Sequence, residues 1–308
     1  MTNFAGLLAA AGAFTLWGVL PVYWKLLQEV PAYEILCHRM AWSLVLTLGL
    51  VFLTGRRAVF RQATKERKNL ITFTATGLLL AVNWLLYIWA VNAGFIVEAS
   101  LGYFINPLIN VLFGMIFFGE KMRPVQWFAL FLAFLGVLYL TVYYGRFPWI
   151  ALVLAVCFAI YGLLHKKNSL GALDALCLET GILFLPAAAI LTGLAYTGGG
   201  SFGRIDLSGT LLLVGTGLIT SVPLLLFGYA AHKIPLSTLG LMQYLAPSIN
   251  LLLGVFVYGE EFPQARMIGF MLIWTALVIF MAENLLRRYR ILENQKKVLE
   301  VVERTEGA

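Results

Sequence analysis

Apolar residues fall into ten blocks along this chain, approximately 5–25, 33–53, 70–90, 99–118, 125–143, 148–164, 172–193, 209–230, 236–257 and 265–285, separated by short polar turns. At about 1.5 Å of rise per residue, about 20 helical residues cross the hydrocarbon core of a bilayer, and the blocks are close to that length. The competing explanation is a buried soluble core, but ten such blocks in 308 residues would leave almost no polar surface to cover it. The pattern therefore predicts an all-α polytopic membrane protein of ten transmembrane helices. The first block is too long for the apolar core of a cleaved signal, lacks a basic leader and precedes nine others, so it is expected to be a retained span.

The blocks repeat. Shifted by 140 positions, Leu101, Pro107, Ile109, Asn110, Leu112, Gly114, Gly119 and Glu120 coincide with Leu241, Pro247, Ile249, Asn250, Leu252, Gly254, Gly259 and Glu260. Glu34 and Cys37 align with Asp174 and Cys177, and FTLWG at 14–18 resembles FAIYG at 158–162. This is an internal duplication. Five spans per unit is an odd number, which inverts the second unit relative to the first, as in secondary transporters with two nearly equivalent openings. The expected organisation is a first repeat over 1–145, a second, inverted repeat over 146–286 and a charged cytoplasmic tail over 287–308.

Composition fits a chain solvated mostly by lipid: 61% of residues are hydrophobic, 12% are charged and the mean hydropathy is +0.86. A net charge of +7 does not predict nucleic-acid binding, because so few charges form no broad basic face. Seventeen of the 22 Lys and Arg residues lie on one side of the predicted topology, in TGRRAVFRQATKERKNL at 54–70, in short turns at Lys121, Arg123, Lys166, Lys167 and Lys233, and in the tail. Arg146, Arg204 and Arg266 lie on the other side, with Lys25 at a helix end. The positive-inside bias puts both termini in the cytoplasm, Arg204 and Glu260 outside, and the basic tail beside anionic lipid. Cys37, Cys157 and Cys177 have no CxxC spacing or histidine cluster, so neither a metal site nor a disulfide framework is expected.

Polar side chains inside the spans are costly in hydrocarbon and mark the bundle interior or a cavity. Tyr103, Asn106, Asn110 and Gly114 share a helical stripe, and their repeat counterparts are Gln243, Ala246, Asn250 and Gly254. Pro107 and Pro247 each remove a backbone donor and free a carbonyl one turn earlier, so both helices are expected to bend there. The asparagines serve either packing and hinging, with Gly114 and Gly254 allowing close approach, or contact with a substrate. The strongest chemical signal is AYEILCHRMAWS at 32–43. There Glu34 and His38 stand one turn apart, and Arg39 is a cation well inside a span with no route to snorkel. Arg39 belongs either to a structural ion pair or to a site for an anionic or zwitterionic substrate or for proton coupling. In AVNWLLYIWAVN at 81–92, Asn83, Trp84 and Tyr87 offer an amide and ring faces to an amphipathic solute, or else packing. Trp17, Trp24, Trp89 and Trp149 read as markers of the membrane interface.

No HExxH, GxSxG or Walker motif occurs and the loops are too short for a catalytic domain, so neither an enzyme nor a bound cofactor is expected. The remaining readings are a secondary transporter driven by a proton or solute gradient, a solute channel, or a membrane assembly protein without intrinsic transport. FTLWGVLPVYWKLL, EILCHRMAWS, NWLLYIWAVN and GYFINPLINVLFG resemble the RarD family, a branch of the EamA drug/metabolite transporter superfamily, and the likeness extends over nearly the whole chain. The resemblance implies ten helices in two inverted five-helix repeats, a bacterial inner-membrane location, and export or exchange of a small solute such as an amino acid or another metabolite. It puts the family signature on Trp17, Gly18, Tyr23, Trp24, Lys25, Glu34, His38, Arg39, Trp42, Asn83, Trp84, Asn106, Pro107 and Glu120. Leu178 and Glu179 stand opposite His38 and Arg39 in the repeat alignment, so any cavity is expected to be chemically asymmetric.

Overall fold

The computed structural model describes residues 3–92, 95–259, 264, 267–283 and 286–287, so the expectations for Glu260, Arg266 and the tail beyond Arg287 lie outside the described residues. Helices α1 (Phe4–Lys25), α2 (Ala32–Leu53), α3 (Arg57–Ala63), α4 (Arg67–Asn92), α5 (Ile96–Phe118) and α6 (Pro124–Tyr144) form the first half. Then follow α7 (Trp149–Lys167), α8 (Ala172–Thr197), α9 (Leu207–Lys233), α10 (Leu236–Met242), α11 (Leu245–Leu252) and α12 (Met267–Glu283). Among the described residues there are 9 segments long and apolar enough to cross a membrane, with α12 a shorter apolar helix, and no strand. The protein is an all-α polytopic membrane protein; α10 and α11 share the ninth block, α3 lies in the basic turn after the second, and the other nine helices match the remaining nine blocks.

Local chemistry sets several boundaries. Asn3 caps α1 by accepting the Ala5 N–H at 3.0 Å, and Asp206 caps α9 by accepting that of Gly209 at 2.9 Å. The fourth and ninth spans both stop at a glycine in the left-handed region, Gly119 at φ +61° and Gly259 at φ +66°, where a side chain would be strained. The duplication thus extends to backbone conformation.

The prolines behave less symmetrically than the repeat suggests. Helix α5 continues unbroken through Pro107, while the ninth span is interrupted at Gln243 and Tyr244, ahead of Pro247. Pro247 sits in the first turn of α11, where a missing N–H costs little. The Gln243 carbonyl instead accepts the Ala246 N–H at 3.2 Å. One turn before Pro107, the Phe104 carbonyl accepts the Tyr244 hydroxyl at 3.0 Å, so the two proline-bearing spans are tied together at the break.

Polarity is arranged inside out relative to a soluble domain. Ser43, Thr47, Thr76, Asn83, Asn106, Asn110, Thr180, Thr216, Thr220 and Ser221 are buried, whereas Leu8, Val45, Leu78, Phe128, Leu185 and Phe256 are exposed. Lipid explains both, since it solvates leucine and leaves amides to find partners within the protein.

Two compact units emerge, and each draws on both repeats. The first comprises residues 1–120 and 144–262. Within it α1 packs on α9 as α7 does on α4, α2 on α9 as α8 on α4, and α5 on α7 as α11 on α1. The pairs α2 with α8 and α5 with α10 map onto themselves. Exchanging the halves therefore preserves the main helix pairs, while the packing of α9 on α7 and α8 has no counterpart of similar extent between α4 and α1 or α2.

The second unit comprises residues 121–143 and the described residues among 264–287. Its helices meet through glycines: a Cβ at Gly269 would lie 2.5 Å from Leu140, and one at Gly136 would lie 2.9 Å from the Gly269 carbonyl oxygen. Arg123 forms an ion pair with Glu283 in the same unit. Replacing Gly269 with leucine should force this seam apart and cost about 1–3 kcal/mol. The check is a lowered melting temperature in detergent, with an exposed control such as Val278→Leu unaffected.

Candidate functional site

The first unit encloses a cavity of about 210 Å³. Phe14, Trp17, Leu20, Pro21 and Trp24 line it from α1, Arg39 from α2, and Asn83, Trp84 and Tyr87 from α4. Gly102, Tyr103 and Asn106 contribute from α5, Leu154 and Phe158 from α7, Leu224 from α9, and Gln243, Ala246, Pro247 and Asn250 from the broken ninth span. On α1 the lining begins midway along the helix and continues to its end. The cavity therefore occupies the half of the bundle nearer the α1–α2 turn. Tyr87, Tyr103 and Asn250 are exposed within this lining, and the two tyrosine rings meet edge to face at 5.8 Å.

Among the described lining residues Arg39 alone is charged. Its guanidinium carbon lies 4.2 Å from the Trp84 ring centroid and 5.0 Å from that of Trp24. Cation–π attraction of about 0.5–2 kcal/mol per ring offsets part of the cost of holding a cation here. Nε donates to Thr220 Oγ1 at 3.0 Å. No carboxylate among the described residues pairs with Arg39, and its two terminal nitrogens have no hydrogen-bond partner there. Neither is an occluded atom. The site thus presents a pre-oriented planar donor fork in an otherwise neutral, aromatic chamber.

The amides divide between two tasks. Asn83 donates to the Leu154 carbonyl at 2.8 Å and Asn106 to that of Ala155 at 2.5 Å, so both pin α7 while edging the cavity. Asn110, expected on the same stripe, does not line it. Its Nδ2 donates to Asn106 Oδ1 at 3.0 Å and to Gln243 Oε1 at 2.7 Å. The reason is proximity: a Cβ on Gly240 would sit 2.6 Å from the Asn110 Cβ and 2.9 Å from the Pro107 carbonyl oxygen, so α10 covers this turn of α5. Gly114 lies farther along, where a Cβ would meet Glu120 Oε2 at 2.5 Å, and Gly254 is buried in the π-helical turn Leu253–Val257. The stripe therefore reaches the cavity at Tyr103 and Asn106 and becomes packing surface beyond. In the second repeat the stripe reaches the cavity at Gln243, Ala246 and Asn250, with Pro247 beside it.

Glu34 and His38 are not brought to the cavity either. The Glu34 carboxylate, 1% exposed, accepts the Ser201 N–H at 2.6 Å, the Ser201 hydroxyl at 2.9 Å and the Phe202 N–H at 3.3 Å. His38 stacks on Phe202 with ring centroids 4.9 Å apart, and its Nε2 is 3.8 Å from Glu34. Both hold down the loop between α8 and α9. The repeat mate of Glu34 does the corresponding job, since Asp174 binds Arg56 in the turn after α2 at 2.5 Å.

Thr220 was not anticipated at the site, since it carries no charge, and Trp24, on the family signature, reads near a helix end as an interface marker rather than a ring over Arg39. At the opposite end of the bundle Glu120 ties the end of α5 to the start of α10, accepting from Leu236 N at 2.7 Å, Ser237 N at 2.9 Å and Ser237 Oγ at 2.6 Å. Lys166 Nζ adds bonds to the Ala231 and Ile234 carbonyls at 3.1 and 2.5 Å.

Comparison with known proteins matches this arrangement. The sequence model of the EamA-like transporter family matches residues 4–142 and again 148–282. The chain is 47% identical over 275 residues to Protein RarD of Streptomyces exfoliatus, covering 89% of this chain and 87% of that one. It is likewise 47% identical over 282 residues to an uncharacterized transporter of Vibrio cholerae serotype O1, covering 91% and 93%. A solved crystal structure with 20% sequence identity superposes with a TM-score of 0.68 over 89% of this chain and 96% of the other, a likeness of fold.

Proposed function

The chain belongs to the EamA-like transporter family, and from that premise we propose that it is a secondary transporter that exports or exchanges a small carboxylate-bearing solute by alternating access. Its being a multi-pass membrane transporter follows from the family, and the solute class rests on one observation. A guanidinium held over the Trp24 and Trp84 rings, with Nε occupied and both terminal nitrogens without a partner among the described residues, faces a neutral aromatic chamber. A carboxylate satisfies that fork with two parallel charge-assisted bonds. Trp17, Phe158, Tyr87 and Tyr103 offer ring faces to the remainder of the solute.

The two ends of the bundle support alternation. One half contains the cavity while Glu120 and Lys166 tie helices together at the other, and the main helix pairs map onto one another when the repeats are exchanged, except that α9 packs on α7 and α8 where α4 does not pack comparably on α1 and α2. Such a bundle has an equally sound partner state in which the ends swap roles. The basic turns at the closed end, with Lys121, Lys166 and Lys233, favour the cytoplasm for that end and for both termini. The described state then faces outward from a bacterial inner membrane, and a proton or solute gradient supplies the drive.

The test is counterflow into vesicles containing the purified protein, screened with amino acids, small organic acids and chloramphenicol-like neutral solutes. Saturable counterflow of an aromatic or apolar carboxylate, with its uncharged amide transported at least about tenfold less well, is expected from the loss of one charge-assisted bond. Flux that rises linearly without counterflow would mean a channel, and equal transport of acid and amide would remove the carboxylate.

A further inference from the structure

Beneath the cavity lies a second polar cluster that the transport reading does not use. His165 Nε2 and Glu179 Oε1 are 2.7 Å apart, and the Tyr161 hydroxyl stands 3.4 Å from Glu179 Oε2. The three residues are 2%, 0% and 1% exposed for His165, Glu179 and Tyr161 respectively. Phe158 lines the cavity and also touches the Tyr161 ring at 5.5 Å, so one aromatic layer separates the cluster from the chamber.

Around the pair, α4 contributes Phe73 and α9 contributes Phe227 and the backbone of Gly228. From α2, Thr47 reaches Thr180. Several charged groups of this end have partners of their own, Cys177 on α8 is a buried free thiol, and Lys68 on α4 is exposed. Asp174 binds Arg56, Lys166 binds two carbonyls, Glu120 binds the start of α10, and His232 meets the Gly228 and Asn168 carbonyls. No Arg or Lys among the described residues pairs with Glu179. A carboxylate so buried is tolerated only if its charge is neutralised, and the proton shared with His165 is what can do that.

Position adds a second argument. Glu179 is the repeat mate of Arg39, and each lies seven residues inside its helix, about 10 Å from opposite ends. In the described state the cavity reaches Arg39. Exchanging the roles of the repeats would bring it to Glu179.

We propose that His165 and Glu179 form a proton-binding site that holds one proton while this end is closed and gives it up to water when this end opens. The proposal rests on the alternating-access reading. Once hydrated, the carboxylate is solvated by water and no longer needs a shared proton to neutralise it, so the open state binds fewer protons. Linkage fixes the sign: raising the pH favours opening of this end, by up to about tenfold per pH unit for one proton.

Spin labels at positions 68 and 233, where exposed Lys68 and Lys233 stand on the closed ends of α4 and α9, report that opening without depending on a known solute. The background lacks the native Cys37, Cys157 and Cys177. In pulsed distance measurements on the full-length protein, a longer-distance population should grow with pH, and Glu179→Gln and His165→Gln should each flatten the dependence. A flat profile in the parent, or an unchanged slope in either folded variant, would overturn the proton site. A single distance at every pH, persisting in Glu120→Ala, would overturn alternating access itself.

Discussion

Arg39→Gln should reduce saturable counterflow by about 100-fold while leaving the protein folded. The two terminal nitrogens have no partner among the described residues, and each charge-assisted bond to a bound carboxylate is worth about 1.5–3 kcal/mol. A loss near 2.7 kcal/mol is about 100-fold. Arg39→Lys keeps the charge but loses the fork and its fit between Trp84 and Trp24, so it should recover no more than about tenfold of that loss. Removing a half-buried cation that has no carboxylate partner among the described residues strands no anion, so the melting temperature in detergent should hold or rise. Loss of the melting transition in both variants would make the guanidinium a structural element. Undiminished counterflow in both would exclude it from the solute site.

The sequence made Arg39 conspicuous because a cation deep in a span is costly, and that cost does not depend on the tertiary arrangement. The spans and their internal duplication were legible for the same reason, since lipid imposes length and apolarity on each helix separately. What was hidden is set by contacts across the repeats. Glu34 and His38 stand one turn apart and resemble a coupling pair, yet Phe202 and Ser201, more than 160 residues away, claim them for a loop. Asn110 and Asn250 match in the alignment, yet α10 covers one and leaves the other at the cavity. The alignment did indicate that Glu179 replaces arginine's counterpart. Its pairing with His165 could not be foreseen, because Cα-level periodicity does not say which neighbouring helix a carboxylate will meet.

Glu120→Ala should unlock the closed end. Its carboxylate takes three donors from the start of α10, two of them backbone N–H groups of a broken span that otherwise lack a capping side chain. Alanine leaves those donors to seek water, which they find only if this end opens, so the loss falls on the closed state rather than on both states. At about 1–3 kcal/mol for an unsatisfied donor, the ratio of open to closed protein should rise by about 5- to 150-fold. The spin-label pair at positions 68 and 233 would read this as a longer distance at a pH where the parent shows the short one. Gly114→Ala supplies an independent route to the same result, because the added Cβ would stand 2.5 Å from Glu120 Oε2 and displace the carboxylate from α10 without removing it. Glu120→Gln keeps an acceptor oxygen but loses the charge, and should fall between parent and alanine. If Glu120→Ala and Gly114→Ala both fold and both keep the parent's short distance, the carboxylate is a helix cap and not a gate. Closure of this end would then reside in the Asn110, Asn106 and Gln243 amides, which tie α5 to the broken span one helical turn closer to the cavity.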